Sequence, residues 1–137
     1  VILLGTDVLV ETMREDPNPS VVAWIDANPV RTLYISAITV AELRFGFVAI
    51  SNAERARRIS QRFETRILPL FSDRILPFDV TATNAYAEIM ETARTTGTRL
   101  GPTGGCIAAT AATSDMCIAT GDPALRAIGV PVINPWK

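Results

Sequence analysis

Histidine is absent from this sequence. That excludes a His/Cys zinc site and any mechanism with histidine as general base. Cysteine is scarce: Cys106 and Cys117 have no metal-ligand spacing and no histidine to join them, so they read as buried thiols in a reducing cytoplasm. Lysine occurs once, at Lys137, and arginine supplies the other twelve of the 13 cations. This favours guanidinium contacts to phosphate or carboxylate. No charge sign dominates: the net charge is -1, so any nucleic-acid contact must come from a local basic patch. No apolar run approaches the ~20 residues a membrane span needs; Glu42 and Arg44 interrupt one of the longest. No basic segment precedes the strand-like Val1 to Leu4, so no leader peptide is expected.

What is present suits one globular domain over residues 1–137. Hydrophobic residues make up 48% of the chain, enough for a real core but at a length that leaves little room for a second one. Ile2 to Leu4 is fully apolar, as a buried parallel strand would be. Thr6 and Asp7 are cap candidates for a short helix to about Met13. Asp16-Pro17-Asn18-Pro19 is a turn, and Ser20 to Ala27 a helix ended by Asn28-Pro29. Leu33 to Ile35 is a second strand. Ile38 to Val48 is a helix apolar almost all round, which implies that it buries two faces, one in the core and one against a partner. Ser51-Asn52 opens a polar helix to about Leu68, with Arg55, Arg58, Arg62 and Arg66 close to one stripe. That stripe suits either phosphate binding or a solvated face.

Ile75 to Phe78 is a third strand, and Asp79 caps a helix that stops near Gly97. Arg99 to Gly105 reads as a glycine-rich loop and Cys106 to Thr113 as a small-residue helix. Cys117 to Thr120 is a fourth strand, Pro123 to Ala127 a short helix, and Val130 to Ile133 a fifth strand. Strands alternating with helices mean an α/β fold with a mostly parallel central sheet of about five strands flanked by helices. Its site should lie at the carboxyl ends of the strands.

Four segments converge there: Gly5-Thr6-Asp7, the start of the helix holding Glu42, Gly101 to Gly105, and Thr120-Gly121-Asp122. Carboxylates gathered in such a place, without histidine or a nucleophile, suggest a Mg²⁺ or Mn²⁺ site, because hard cations take oxygen ligands and activate water. Each acid also has a plainer role. Thr39-Val40-Ala41-Glu42 fits a capping box, Asp122 before Pro123 fits an N-cap with proline at the first helical position, and Asp7 fits a cap. The Gly101 to Gly105 segment lacks the Gly-Lys-Ser/Thr ending of a P-loop and the glycine spacing of a dinucleotide fold.

The chain as a whole resembles the PIN-domain toxins of the VapC/FitB type. The resemblance runs through Ile2-Leu3-Leu4-x-Thr6-x-Val8-Leu9, Val21-Val22-Ala23-Trp24-Ile25 and, most diagnostically, Ser36-Ala37-Ile38-Thr39-Val40-Ala41-Glu42-Leu43-Arg44-Phe45-Gly46. Ile67 to Phe71, Ile75 to Asp79, Ile107 to Ala111 and Asn134-Pro135-Trp136 continue it. It implies a PIN fold, a Mg²⁺- or Mn²⁺-dependent endoribonuclease activity, and the toxin role in a type II toxin–antitoxin system in the cytoplasm. It further implies a homodimer built largely on the third and fourth helices, a VapB/FitA-like antitoxin whose tail lies in the site groove, and operator DNA reached only through that antitoxin.

The family's site is an acidic quartet, and here the pattern breaks. Glu42 and Asp122 match the second and fourth acids. The first and third positions hold Gly5 and Gly104. Asp7 stands where the family usually has Asn, and Gly121 replaces the usual basic residue before the fourth acid. The resemblance therefore leaves a remnant site of Glu42, Asp122 and Asp7 as catalytic and metal-binding candidates, with Thr6, Arg44 and Thr120 as candidates for substrate contact. Glycine offers no side-chain oxygen, so cation binding is expected to be weak or lost, and nuclease activity with it. Asp7 is two residues from Gly5, but its side chain is expected to start on the other side of the turn.

Overall fold

The computed structural model describes all 137 residues. Five parallel strands form one sheet in the order β3-β2-β1-β4-β5: β1 (Ile2–Leu4), β2 (Leu33–Ser36), β3 (Ile75–Leu76), β4 (Cys117–Ala119) and β5 (Val132–Ile133). The central strands are apolar on both faces because both faces are covered. Successive side chains of β1 alternate accordingly. Leu4 packs into one core with Leu33, Ile35, Val8, Phe47 and Phe63, and Leu3 into a second with Ile107, Ala108, Ile118 and Leu125.

The first core lies under α1 (Thr6–Thr12), α2 (Pro19–Ala27), α3 (Ala37–Val48) and α4 (Ala53–Arg62). The second lies under α5 (Val80–Thr96), α6 (Pro102–Thr113) and α7 (Pro123–Ala127). From β1 the chain builds outward to β2 and β3, then crosses back to place β4 on the other side of β1. The direction of winding thus reverses between β1 and β4, and a doubly wound sheet opens a crevice at the carboxyl ends of such a pair. No helix is long and apolar enough to cross a membrane.

Local chemistry sets the helix starts. Asn18, Ser36, Asn52, Asp79 and Asp122 each accept a bond from a backbone amide of the following first turn, satisfying a donor that has no partner inside the helix. Gly97, at φ 67°, ends α5 in the left-handed conformation. Beyond Arg62 the chain keeps turning through a π-helical segment (Phe63–Ile67) and a 3-10 segment (Leu68–Phe71), so the polar helix expected to reach Leu68 is continuous in path but irregular in winding.

Four expectations are corrected. There is no Thr39/Glu42 capping box: Ser36 captures the Ile38 amide at 3.0 Å, so α3 starts earlier and both residues lie inside it. Neither Thr6 nor Asp7 caps α1, because the N-cap is Gly5, which has no side chain to offer. The glycine-rich segment is half helix: α6 begins at Pro102, with Gly101 as an extended cap. Its glycines let α6 press on α5, since a Cβ on Gly105 would sit 2.5 Å from Met90 Sδ and 3.0 Å from Tyr86 Cε2. Finally, β5 starts at Val132 rather than Val130, because the Val130 amide is held by Leu125 O at 3.0 Å after Gly129 turns at φ 84°.

The acidic cleft at the switch point

An open cleft of about 300 Å³ lies at the carboxyl ends of β1 and β4. All four expected segments contribute to its wall: Gly5, Thr6 and Asp7 from the start of α1, Glu42 from α3, Gly101 and Gly104 from α6, and Thr120 and Asp122 from the β4–α7 turn. Arg99, Leu100 and Thr103 also line it. All three fall in the glycine-rich segment, where an arginine before a glycine cap carries no spacing signal that would single it out.

Thr6 joins α1 to α3. Its hydroxyl donates to Glu42 Oε1 at 2.7 Å and is hydrogen-bonded to Thr39 Oγ1 at 3.0 Å. Thr39 is fully buried and Glu42 half-buried. A carboxylate held by one hydroxyl in this way keeps a fixed orientation and still has acceptor capacity free. Asp122 behaves as its plainer reading proposed: Oδ1 accepts the Ala124 amide at 2.9 Å and caps α7.

Asp7 is the most heavily engaged of the three acids. It does not start on the far side of the turn; it faces the cleft. Oδ1 accepts the Val8 amide at 2.9 Å. Oδ2 accepts both the Thr120 hydroxyl and the Gly121 amide, each at 2.9 Å. Thr120 Oγ1 in turn accepts the Asp122 amide at 3.1 Å. Asp7, Thr120 and Asp122 thus form one hydrogen-bonded chain that ties α1 to the β4–α7 turn.

Arg44 does not join the cleft. It makes a two-pronged bond with Glu64, Nη2 to Oε1 at 2.7 Å and Nε to Oε2 at 3.2 Å, on the exposed side of α3. That hydrogen bond and charge raise the arginine's pKa and hold the Glu64 carboxyl below its ordinary value. The exposed arginines of the α4 stripe make no ion pair: the four pairs in the structure are Arg14–Glu11, Arg44–Glu64, Arg74–Asp73 and Arg94–Glu91. Arg55 lines a second groove, which shares Thr6 and Glu42 with the cleft.

The donor set does not fit a hard-cation centre. Nowhere do three histidine, cysteine, aspartate or glutamate side chains gather closely enough to hold a metal ion. A Mg²⁺ or Mn²⁺ ion needs several oxygens aimed at one point. Here Gly5 and Gly104 supply none, and both Asp7 oxygens already accept backbone or hydroxyl bonds.

Sequence comparison agrees with the architecture. The PIN domain family matches residues 2–131. VapC ribonuclease Y4jK of Sinorhizobium fredii is 44% identical over 138 residues, covering 100% of this chain and 99% of that protein. Toxin FitB of Neisseria gonorrhoeae is 44% identical over 137 residues, covering 99% of each. The solved structure of FitAB bound to an IR36 DNA fragment superposes with a TM-score of 0.93 at 43% identity, covering 100% of this chain and 96% of that one. The chain belongs to the PIN-domain family and, within it, to the VapC/FitB toxins of toxin–antitoxin systems.

Proposed function

We propose that this chain is a VapC/FitB-type toxin subunit that dimerises and binds a small VapB/FitA-like antitoxin in the cytoplasm, with its endoribonuclease activity weak or lost. The observation that carries the second half is the cleft: two of its wall positions are glycine, Gly5 and Gly104, and no three acids converge. Water activation for phosphodiester hydrolysis in this class of site depends on bound Mg²⁺ or Mn²⁺. Glu42 and Asp122 alone make a poor cage for either.

The binding half rests on surfaces that do not depend on the metal. A groove between α1, α3 and α4, lined by Val10, Met13, Leu43, Phe47 and Ile59, runs on from the cleft through Thr6 and Glu42. Its apolar floor and acidic end suit an amphipathic segment of an antitoxin. On α3, Phe45 is 75% and Val48 82% exposed. Solvent-facing residues of this size on a helix that is already half buried favour a second copy of the chain as cover. Operator DNA would be reached only through the antitoxin; the FitAB complex, whose fold this chain shares, is bound to an IR36 DNA fragment.

Calorimetric titration of Mn²⁺ into the purified protein tests the reading, run beside an RNA-cleavage screen and co-expression with any VapB/FitA-like antitoxin encoded beside its gene. No Mn²⁺ heat at millimolar concentration, no cleavage and a stable complex are expected. Sub-millimolar Mn²⁺ binding with RNA cleavage would return the chain to the active ribonucleases, with Glu42, Asp122 and Asp7 as ligands. Failure to pair with the antitoxin would remove the binding role.

A further inference from the structure

The arginine stripe of α4 takes no part in the cleft, and its charge is the exception in this molecule. The net charge of the chain is -1, yet residues 53–66 carry Arg55, Arg57, Arg58, Arg62 and Arg66. All of them are exposed, and none joins an ion pair. The glutamates of the segment do not cancel them, because Glu64 is taken by Arg44 and only Glu54 remains. Arg55 borders the groove beside α1, while the other four line neither that groove nor the cleft. From Arg55 to Arg66 the stripe runs about 16 Å at 1.5 Å per residue.

The side chains between the arginines narrow what can cover this face. Gln61 and Thr65 are exposed and Ser60 half-buried, so the gaps hold further polar groups. The one aromatic, Phe63, is fully buried, and Ile59 lines the groove. A protein partner takes an apolar or aromatic anchor at the centre of its interface, and this face offers none. A second copy of the chain is a poor cover, since a two-fold contact here would set arginine against arginine. Phosphate fits. A guanidinium grips it with two parallel bonds, and contacts to a nucleic-acid backbone need no apolar core. With no exposed aromatic there is no platform on which unpaired bases could stack, which favours a double helix over a single strand.

We propose that the outer face of α4 and of the π-helical segment after it is a phosphate-backbone site for double-helical RNA, bound without a metal ion. Such RNA is read largely through its shape and backbone. The choice of RNA over DNA rests on the reading of this chain as a VapC/FitB-type toxin; the phosphate contact rests on the charge of α4 alone. The stripe and the cleft are then separate devices. A chain whose cleft holds a cation poorly can still hold RNA.

Fluorescence anisotropy of a labelled RNA duplex with the full chain, in the presence of a chelator, tests the surface. Affinity should fall steeply with salt, as counterions are released from the phosphates. Arg58→Gln/Arg62→Gln should weaken binding by about tenfold or more and flatten the slope of log K against log salt by about 2. Arg94→Gln/Arg126→Gln removes the same charge from α5 and α7, on the opposite face of the sheet, and should change affinity by less than about threefold. Glutamine is close to arginine in helix propensity, so both pairs should fold, which far-UV circular dichroism checks.

Equal losses in the two pairs would reduce the binding to bulk charge and overturn the site, as would no binding by the unaltered chain at low salt. Tighter binding of the matching DNA duplex, or of the single strand, would overturn the assignment to double-helical RNA. Loss of antitoxin pairing in Arg58→Gln/Arg62→Gln, with RNA binding unchanged, would give the stripe to an acidic protein instead. Mn²⁺-dependent cleavage by the unaltered chain would refute the weak-cleft reading alone, because binding in chelator judges the α4 surface independently.

Discussion

Two glycines on helices should respond in opposite ways to the same substitution. Gly46 lies in the interior of α3 with nothing within 4 Å of a would-be Cβ, whereas Gly105, in α6, has Met90 Sδ at 2.5 Å and Tyr86 Cε2 at 3.0 Å. In a helix, alanine is favoured over glycine by about 0.8–1 kcal/mol. Gly46→Ala should collect that gain. Gly105→Ala collects it too, but must push Met90 outward and shift the α5–α6 contact, an overpacking cost of about 1–3 kcal/mol. The propensity term cancels in the difference, so the gap between the two variants measures the closeness of α5 and α6. For a domain of this length, 1 kcal/mol corresponds to about 3–4 °C of melting temperature, so Gly105→Ala should melt roughly 3–12 °C below Gly46→Ala. Differential scanning calorimetry of the two proteins is the assay. Equal upward shifts would mean that Gly105 is not packed against α5, and the account of why α6 starts with glycines would be wrong.

The remaining expectations concern the cleft and the cores. Thr6→Val removes the hydroxyl that binds Glu42 at 2.7 Å and should cost about 1–3 kcal/mol, since the acceptor is charged; Thr6→Ser should retain most of it in a urea titration. Phe63→Ala empties a fully buried site whose ring sits 5.5 Å from that of Phe47 and should cost about 3–5 kcal/mol, read from the same titration. The buried Glu11 carboxyl is held below the ordinary glutamate range, first by the Asn18 amide at 2.9 Å and then by Arg14. A folded-state pKa that is depressed means stability present above the unfolded value of about 4.3 and lost as pH falls through the folded one. The advantage of the natural chain over Glu11→Gln should therefore shrink between pH 7 and pH 3, and a gap unchanged with pH would contradict the assignment.

Most of the fold was legible because its signals are local and mutually consistent. The fully apolar β1 and β4 segments had to be buried on both faces, and Asn52, Asp79 and Asp122 stand where their helices begin. The misses share one cause. Ser36 and Thr39 are both competent caps, and only tertiary placement decides that Ser36 takes the Ile38 amide while Thr39 goes to Thr6, 33 residues away. Gly104 and Gly105 are poor helix formers by propensity, so the sequence reads as a loop; Pro102 at the first helical position and the pressure of α5 override it.

The cleft shows the same division more sharply. That Gly5, Glu42, Gly104 and Asp122 share one wall follows from topology alone, because a doubly wound sheet gathers the ends of β1 and β4 and the helices beside them. Which oxygens remain free does not follow. Asp7 looked like a spare ligand two residues from a lost one, and it does reach the cleft. Yet its Oδ2 is already shared with Thr120 and Gly121, 113 and 114 residues distant in the chain, and only Oδ1, bonded to the Val8 amide alone, has acceptor capacity to spare. Sequence pattern counts acids; only the hydrogen-bond inventory says how many have acceptor capacity left for a cation. By that count the cleft offers most of Glu42 and part of each of Asp122 and Asp7, fewer oxygens than a hard cation takes.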